Sequence, residues 1–374
     1  MSDILYDFAV IGAGMAGASI AAELAPHARV LVLEAEHAPG YHSTGRSAAF
    51  WEECYGGPGV VPLTLASGEF LREHGFLTRR GALYIGRAQD RAAMDDFVET
   101  FAGSGVTIER LCSDALAEHV PQLRAEWCDA IYEAVCADID VAGLHQHYLK
   151  TLKAWGASLV CRARIAHFER EPGGWRIGSE GGETWRAREI VNAAGAWADV
   201  IAERAGAQPL GIAPLRRTVA QLRVTQEVPD DLPLVLDISG EFYFKPDSGR
   251  LWVSPHDEVP TQPCDAAPEE MDVALAIDRF ERATHWRIEA VERRWAGLRS
   301  FAPDRLPVYG RDPECEGFNW FAGQGGFGIQ TAPAAARLAA QQLLDQAPDT
   351  LTGQIDPDRY APARFARTKA QAMG

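Results

Sequence analysis

The chain has 374 residues, 47% of them hydrophobic, enough to bury a substantial core and to form two or three structural units. A formal net charge of -16 gives an acidic field that repels polyanions, which excludes a phosphate-tracking nucleic-acid binder and an anionic-membrane ligand. Seven cysteines, odd in number and never spaced as CxxC, exclude a disulfide frame or zinc site; they predict reduced thiols in a cytoplasmic protein.

The N-terminus carries acids where a signal peptide has a basic region, and no segment offers about eighteen uncharged apolar residues. No integral membrane segment is expected, and any association with the inner membrane would be peripheral. Residues 8–11 (FAVI) form a short β-rich run, followed at once by Gly12-Ala13-Gly14-Met15-Ala16-Gly17 and an Ala-rich helical pattern over 18–24. A second apolar run at 30–33 ends in Glu34, 20 residues beyond Gly14. Strand, glycine turn, helix, strand and acid in this order predict a βαβ unit with a dinucleotide-binding GxGxxG turn. Gly12 permits the tight turn, Gly14 lets the backbone approach a pyrophosphate, and Gly17 lets helix and strand pack closely. The anion belongs at the positive end of the helix, and Glu34 accepts hydrogen bonds from ribose hydroxyls. The motif does not separate FAD from NAD.

The next loop, 39–49, is rich in small residues and hydroxyls. Ser43, Thr44 and Arg46 can bind phosphate oxygens there; an ordinary polar loop is the alternative. Residues 189–194 (EIVNAA) read as a strand ending in the small-residue turn Gly195-Ala196-Trp197-Ala198, which can pass beside a bound nucleotide. LPLVLDIS, GEFYFKP and RLWVSP are β-rich runs, whereas EEMDVALAIDRFERAT has helical spacing. Late in the chain, glycines at 323, 325, 326 and 328 precede an Ala-rich helix over 332–344. They permit backbone contact with a ring, and the helix N-terminus can stabilise negative charge on a reduced flavin.

GYHSTGRSAA at 40–49, DID with LHQHYL at 138–149, VNAAGAWAD at 191–199, FYFKPDSG at 242–249, WAGLRSF at 295–301 and GQGGFGIQT at 323–331 are specific strings. In that order the chain resembles the D-amino acid oxidase superfamily of FAD enzymes, which includes glycine oxidase and sarcosine oxidase, and within it bacterial D-arginine dehydrogenase. The resemblance implies an α/β (α+β overall) fold of the glutathione-reductase/D-amino acid oxidase type. A discontinuous Rossmann-like FAD domain (1–78, 141–209, 305–374) would carry an antiparallel-sheet substrate domain (79–140, 210–304). It implies FAD, non-covalent because no cysteine lies between Arg299 and Asp304, where covalent relatives attach it. The implied cofactor contacts are Gly12, Gly14, Met15, Ala16, Gly17, Glu34, Ala35, Ser43, Thr44, Arg46, Ser47, Ala48, Ala49, Ile165, Ala194, Gly195 and Trp197, with Gly325, Gly326, Phe327, Gly328, Ile329, Gln330 and Thr331 from the late loop.

A carboxylate-bearing substrate calls for an arginine fork. Arg299 sits among apolar residues in WAGLRSF, and Arg216 in PLRRTVAQLRV is the second candidate; both also fit structural ion pairs. By the resemblance Arg299, Arg216 and Tyr243 hold the substrate carboxylate, and Tyr55 belongs to a mobile lid, with a plain core tyrosine as the alternative. Gly326 and Gln330 lie at the flavin and substrate end of the late loop. Phe50, Glu52, Ala82, Leu234 and Leu236 line the side-chain pocket. Phe50 replaces a histidine of the related dehydrogenase and Ala82 replaces its substrate-binding acid, so D-arginine is not carried over as the substrate. Glu52 either restores that acid or is solvated. His256 fits a surface position better than a proton carrier, and His145 and His147, two residues apart, face different sides and form no metal pair.

The implied reaction is hydride transfer from Cα of a D-amino acid, preferentially neutral or apolar, to flavin N5, giving a 2-oxo acid and ammonia. The rivals are oxidation of secondary amines (sarcosine, glycine or opine-like compounds) and a non-catalytic flavin-binding role. The electron acceptor is oxygen or a quinone.

Overall fold

Three sheets organise the computed structural model, which describes residues 4–365 and shows a mixed α/β architecture. The expected FAD-domain ends at 1–3 and 366–374 lie outside the described residues. In the eight-stranded sheet, Leu5–Ile11 runs parallel between Val30–Leu33 and Thr184–Asn192. Phe318–Ala322 extends it parallel to Thr184–Asn192, and Ser158–Val160 closes the other side beside Val30–Leu33. All four residues of Val30–Leu33 are buried, because helices cover a parallel sheet on both faces and leave no polar side. The helix Met15–Leu24 fills one face with Ala18, Ile20, Ala21 and Leu24. Leu144 and Tyr148 of Val141–Ala154 and Leu338 of Ala332–Leu343 share that core.

The second sheet has ten strands, and its backbone is the long antiparallel pair Ala213–Val224 and Ile288–Phe301, registered from Ala213 opposite Phe301 to Val224 opposite Ile288. Residues of even number on the first strand, Ala220, Leu222 and Val224, face a core closed by Val273, Ala276 and Phe280 of the helix Glu270–Ala283. The opposite face is left to line the site. A small third sheet joins Phe50–Trp51, Ala137–Ile139 and Leu77–Arg79, the last straddling the domain boundary expected at residue 78. Gln324–Gly325 pairs with Ser300 and Phe301, which ties the late glycine loop to the edge of the ten-stranded sheet. Among the described residues no helix is long and apolar enough to cross a membrane.

Candidate active site

A cleft of about 1880 Å3, open solvent at its mouth included, runs from the GxGxxG turn to the inner face of the ten-stranded sheet. At its far end the first turn of Met15–Leu24 has no acid and, Gly14 being its N-cap residue, no cap from its own side chain, which leaves the positive end of the helix facing the cleft to an anion. Gly12, Gly14, Met15, Ala16, Glu34 and Ala35 line this end, with Ile165, Ala194, Gly195 and Trp197 opposite. Glu34 accepts the Ala13 N–H at 2.7 Å and the Glu36 N–H at 2.9 Å, which fixes its carboxylate beside the turn with lone pairs to spare. His145 adds a brace invisible in the sequence: buried, its Nε2 lies 2.9 Å from the Ala13 carbonyl. His147 points elsewhere, into rings of Phe70, His74 and Phe76. Gly17 does not reach the cleft; it lies beneath it, against Gly12.

The loop at 43–49 also lines the cleft, and its polar side chains are held in place by bonds within the protein. Thr44 Oγ1 accepts the Met15 N–H at 2.9 Å, Ser43 Oγ donates to the Leu298 carbonyl at 2.6 Å, and Arg46 donates to the Ala266 carbonyl at 2.8 Å while pairing with Asp265. Ser43 and Arg46 therefore tie this turn to the Ile288–Phe301 strand and the 265–266 loop while still facing the cleft where the phosphates are expected. Ser47, Ala48 and Ala49 complete the wall with Gly325, Gly326, Gly328 and Ile329.

At the near end the cleft is lined by Arg217, Arg299, Tyr243, Tyr55, His256, Phe50 and Leu236. Arg216 is not brought here. Successive residues of a strand face opposite sides, and Arg216 shares its side with Ala220 and Leu222, where it meets Glu269 and, at 2.9 Å, Asp272. Arg217 takes the place expected for Arg216. Its Nε donates to the Asp257 carbonyl at 2.8 Å, and burial together with the nearby Arg299 charge holds it below the ordinary guanidinium range. Arg299 donates through Nη1 to the Tyr55 hydroxyl at 2.5 Å and pairs through Nη2 with Glu258, which Arg305 also contacts at 2.8 Å. Two buried donors make no hydrogen bond: Nε of Arg299, and Nη2 of Arg217, which lies 3.6 Å from the Glu258 carboxylate in a longer ion pair. A Cβ on Gly326 would sit 2.1 Å from the Tyr55 hydroxyl and 2.8 Å from Arg299 Nη1, so only glycine lets the late loop pass this close.

Several expected pocket residues stand behind the wall. Ala82 and Leu234 are fully buried partners in the ten-stranded sheet, Phe327 packs with Val60 and Phe301, and Thr331 donates to the Phe327 carbonyl at 2.9 Å. Gln330 is a brace: its amide donates to the Glu52 carbonyl at 3.0 Å and to Thr64 Oγ1 at 2.9 Å, holding the segment that carries Phe50 and Tyr55.

Glu52 is neither solvated nor in the cleft. It is 0% exposed and both carboxyl oxygens lack partners. Burial first, and then the charge of Glu133, pushes its carboxyl well above the usual range; burial pushes Glu133 up to about 7. Folded pKa values above the unfolded 4.5 mean that both groups stabilise the fold fully below pH 4.5 and lose that contribution as pH rises through the folded pKa, about 7 for Glu133. Glu52→Gln is isosteric but cannot ionise. It is expected to leave the melting temperature at pH 5 nearly unchanged and to stabilise the holoenzyme by about 1 to 3 kcal/mol at pH 8. Thermal melts across that range test this, and parallel curves for the two proteins would refute it.

Comparison with known proteins agrees with this layout. The family profile described as DAO, FAD dependent oxidoreductase, matches residues 7–342. Glycine oxidase of Geobacillus kaustophilus is 26% identical over 382 residues, covering 94% of this chain and 97% of that one. The crystal structure of glycine oxidase from Geobacillus kaustophilus shares the fold with a TM-score of 0.79 at 24% identity, over 94% of this chain and 99% of that one. L-proline dehydrogenase from P. horikoshii does so with 0.84 at 23% identity, over 97% and 98%. The residues present fit FAD: the acid-free helix end suits the pyrophosphate, Glu34 a ribose, and the glycine-lined wall at 325–328 a flat ring. Glu34→Ala is expected to weaken FAD binding by roughly 1.5 to 3 kcal/mol, leaving turnover at saturating FAD little changed; titration of the apoprotein checks this, and unaltered affinity would displace Glu34 from the cofactor. With the profile spanning nearly the whole chain and a cleft shaped for its cofactor, this protein belongs to the DAO family of FAD-dependent oxidoreductases.

Proposed function

We propose that this enzyme oxidises the carbon beside the amino group of a small D-amino acid, yielding an imino acid that hydrolyses to a 2-oxo acid and ammonia. The observation that carries the reading is the pair of buried guanidiniums lining the cleft, Arg217 and Arg299, each with an N–H that makes no hydrogen bond within the protein, that of Arg217 being only 3.6 Å from Glu258. Unsatisfied buried donors on cations are costly, and a carboxylate entering between them satisfies both. When bound, FAD supplies the acceptor for the hydride lost from Cα.

The chain's own part is orientation. Arg217 and Arg299 fix the carboxylate, the Tyr55 and Tyr243 hydroxyls add donors beside it, and the apolar surface of Phe50 and Leu236, which adjoins those tyrosine rings, takes the side chain. With carboxylate and side chain both placed, one face of Cα meets the cofactor, so stereoselectivity follows from geometry. Because Phe50 and Leu236 are apolar and Glu52 is shut behind them, a neutral side chain gains roughly 25 cal/mol per Å2 buried, while a cation loses hydration without a partner.

The similarity to glycine oxidase supports a second reading, in which the substrate is glycine or a secondary amine. Anaerobic bleaching of the flavin with D-Met, D-Leu, D-Phe, D-Arg, D-Lys, their L-forms, glycine and sarcosine separates the two. The proposal expects the neutral D-amino acids to reduce the flavin fastest. Faster reduction by glycine or sarcosine selects the second reading, reduction by L-forms alone defeats the stereochemical one, and D-Arg ahead of every neutral substrate defeats the preference.

A further inference from the structure

His256 lies on the loop after the strand Arg250–Ser254 and, unusually for a residue other than glycine, has a backbone φ of +56°. That conformation turns its ring into the cleft, edge-on to Tyr243 with centroids 5.7 Å apart. The ring Nδ1 is 2.8 Å from the Gly240 carbonyl. A carbonyl only accepts, so Nδ1 carries the hydrogen and Nε2 of the neutral ring is a bare acceptor.

The groups around it decide what that acceptor meets. Arg217 reaches it from the strand Ala213–Val224, Tyr243 from Tyr243–Asp247 and Arg299 from Ile288–Phe301, while Asp257 and Glu258 follow on its own loop. Burial first, and then the Arg217 and Arg299 charges, depress the imidazole to about 3. The two acids are already engaged: Asp257 accepts the Thr218 N–H at 2.8 Å and its hydroxyl at 3.0 Å, and Glu258 holds Arg299 and Arg305. A substrate carboxylate between the guanidiniums offsets the charges that keep His256 deprotonated, and the same guanidiniums disfavour an ammonium beside them.

We propose that His256 receives the amino-group proton of the bound substrate through Nε2 and is a catalytic residue of this enzyme, an inference that rests on the amino acid reading above. One ammonium N–H bond breaks and one Nε2–H bond forms, leaving a free amine whose lone pair assists loss of the α-hydride. The imidazolium returns its proton to solvent through the mouth of the cleft.

His256→Asn is the discriminating variant. Asparagine tolerates the left-handed backbone and its amide can still donate to the Gly240 carbonyl, so the loop is kept while Nε2 is deleted. Titrated into the holoenzyme and read from the flavin spectrum, 2-aminobenzoate is expected to bind the variant about fivefold more weakly, and benzoate equally well. In stopped-flow reduction by a neutral D-amino acid, the rate at pH 7 is expected to fall about 100-fold and to climb with pH toward the pKa of the amine itself. A variant with the wild-type ratio of the two affinities and the wild-type pH profile overturns the role of His256. Should no amino acid reduce the wild-type flavin, the proposed function fails and the affinity ratio alone rules on His256, an unchanged ratio overturning it.

Discussion

Arg217→Met and Arg299→Met are each expected to lower kcat/KM by roughly two to four decades, about 3 to 5 kcal/mol, with the flavin still bound. In the proposed binding mode either change leaves the other guanidinium to hold the substrate carboxylate from one side only, so the carboxylate loses both affinity and a fixed orientation. Arg216→Met, one residue away, is expected to leave kcat/KM within about a factor of three. Its ion pairs with Glu269 and Asp272 brace the helix Glu270–Ala283 on the opposite face of the strand, so its loss belongs in the melting temperature. Steady-state kinetics with the best D-amino acid, alongside the visible spectrum, separate these outcomes. A decades-fold loss in Arg216→Met, or a mild one in Arg217→Met, would mean that the strand presents its other face to the substrate.

Gly17→Ala is expected to raise the FAD dissociation constant about 100-fold or more. The added methyl would sit 1.8 Å from the Gly12 carbonyl oxygen and 2.8 Å from its carbonyl carbon. Both are backbone atoms, so no side chain can swing aside; the helix Met15–Leu24 must lift from the strand Leu5–Ile11, at more than the ~1–3 kcal/mol of ordinary overpacking. Lifting the helix displaces the turn expected to hold the pyrophosphate, while the rest of the sheet stays paired. The purified variant should therefore be pale but folded by circular dichroism. A yellow protein with wild-type FAD affinity would show that the helix is not held by this contact.

The parts of this protein legible in its residues are those whose chemistry is contiguous. Gly12, Gly14, Gly17 and Glu34 lie within one βαβ unit, so spacing alone marks a dinucleotide site, though not which dinucleotide. The helix predicted from EEMDVALAIDRFERAT appears as Glu270–Ala283 for the same reason, since its apolar period is written in one stretch. The substrate end is different, because it is assembled from strands whose facing depends on distant partners. Alternation alone separates Arg216 from Arg217, yet which of them meets the cleft depends on the helix Glu270–Ala283 covering the Ala220 and Leu222 side. Ala82 and Leu234 read as pocket residues, but they are each other's sheet partners and are sealed behind the wall. His256 reads as a surface residue because nothing local announces its left-handed backbone or the Gly240 carbonyl that anchors its ring. Glu52 reads as either a pocket acid or a solvated one, whereas the Gln330 brace draws its segment inward against Glu133. Backbone turns and periodicity are local consequences of residue type, whereas side-chain direction and burial are properties of the packed sheet.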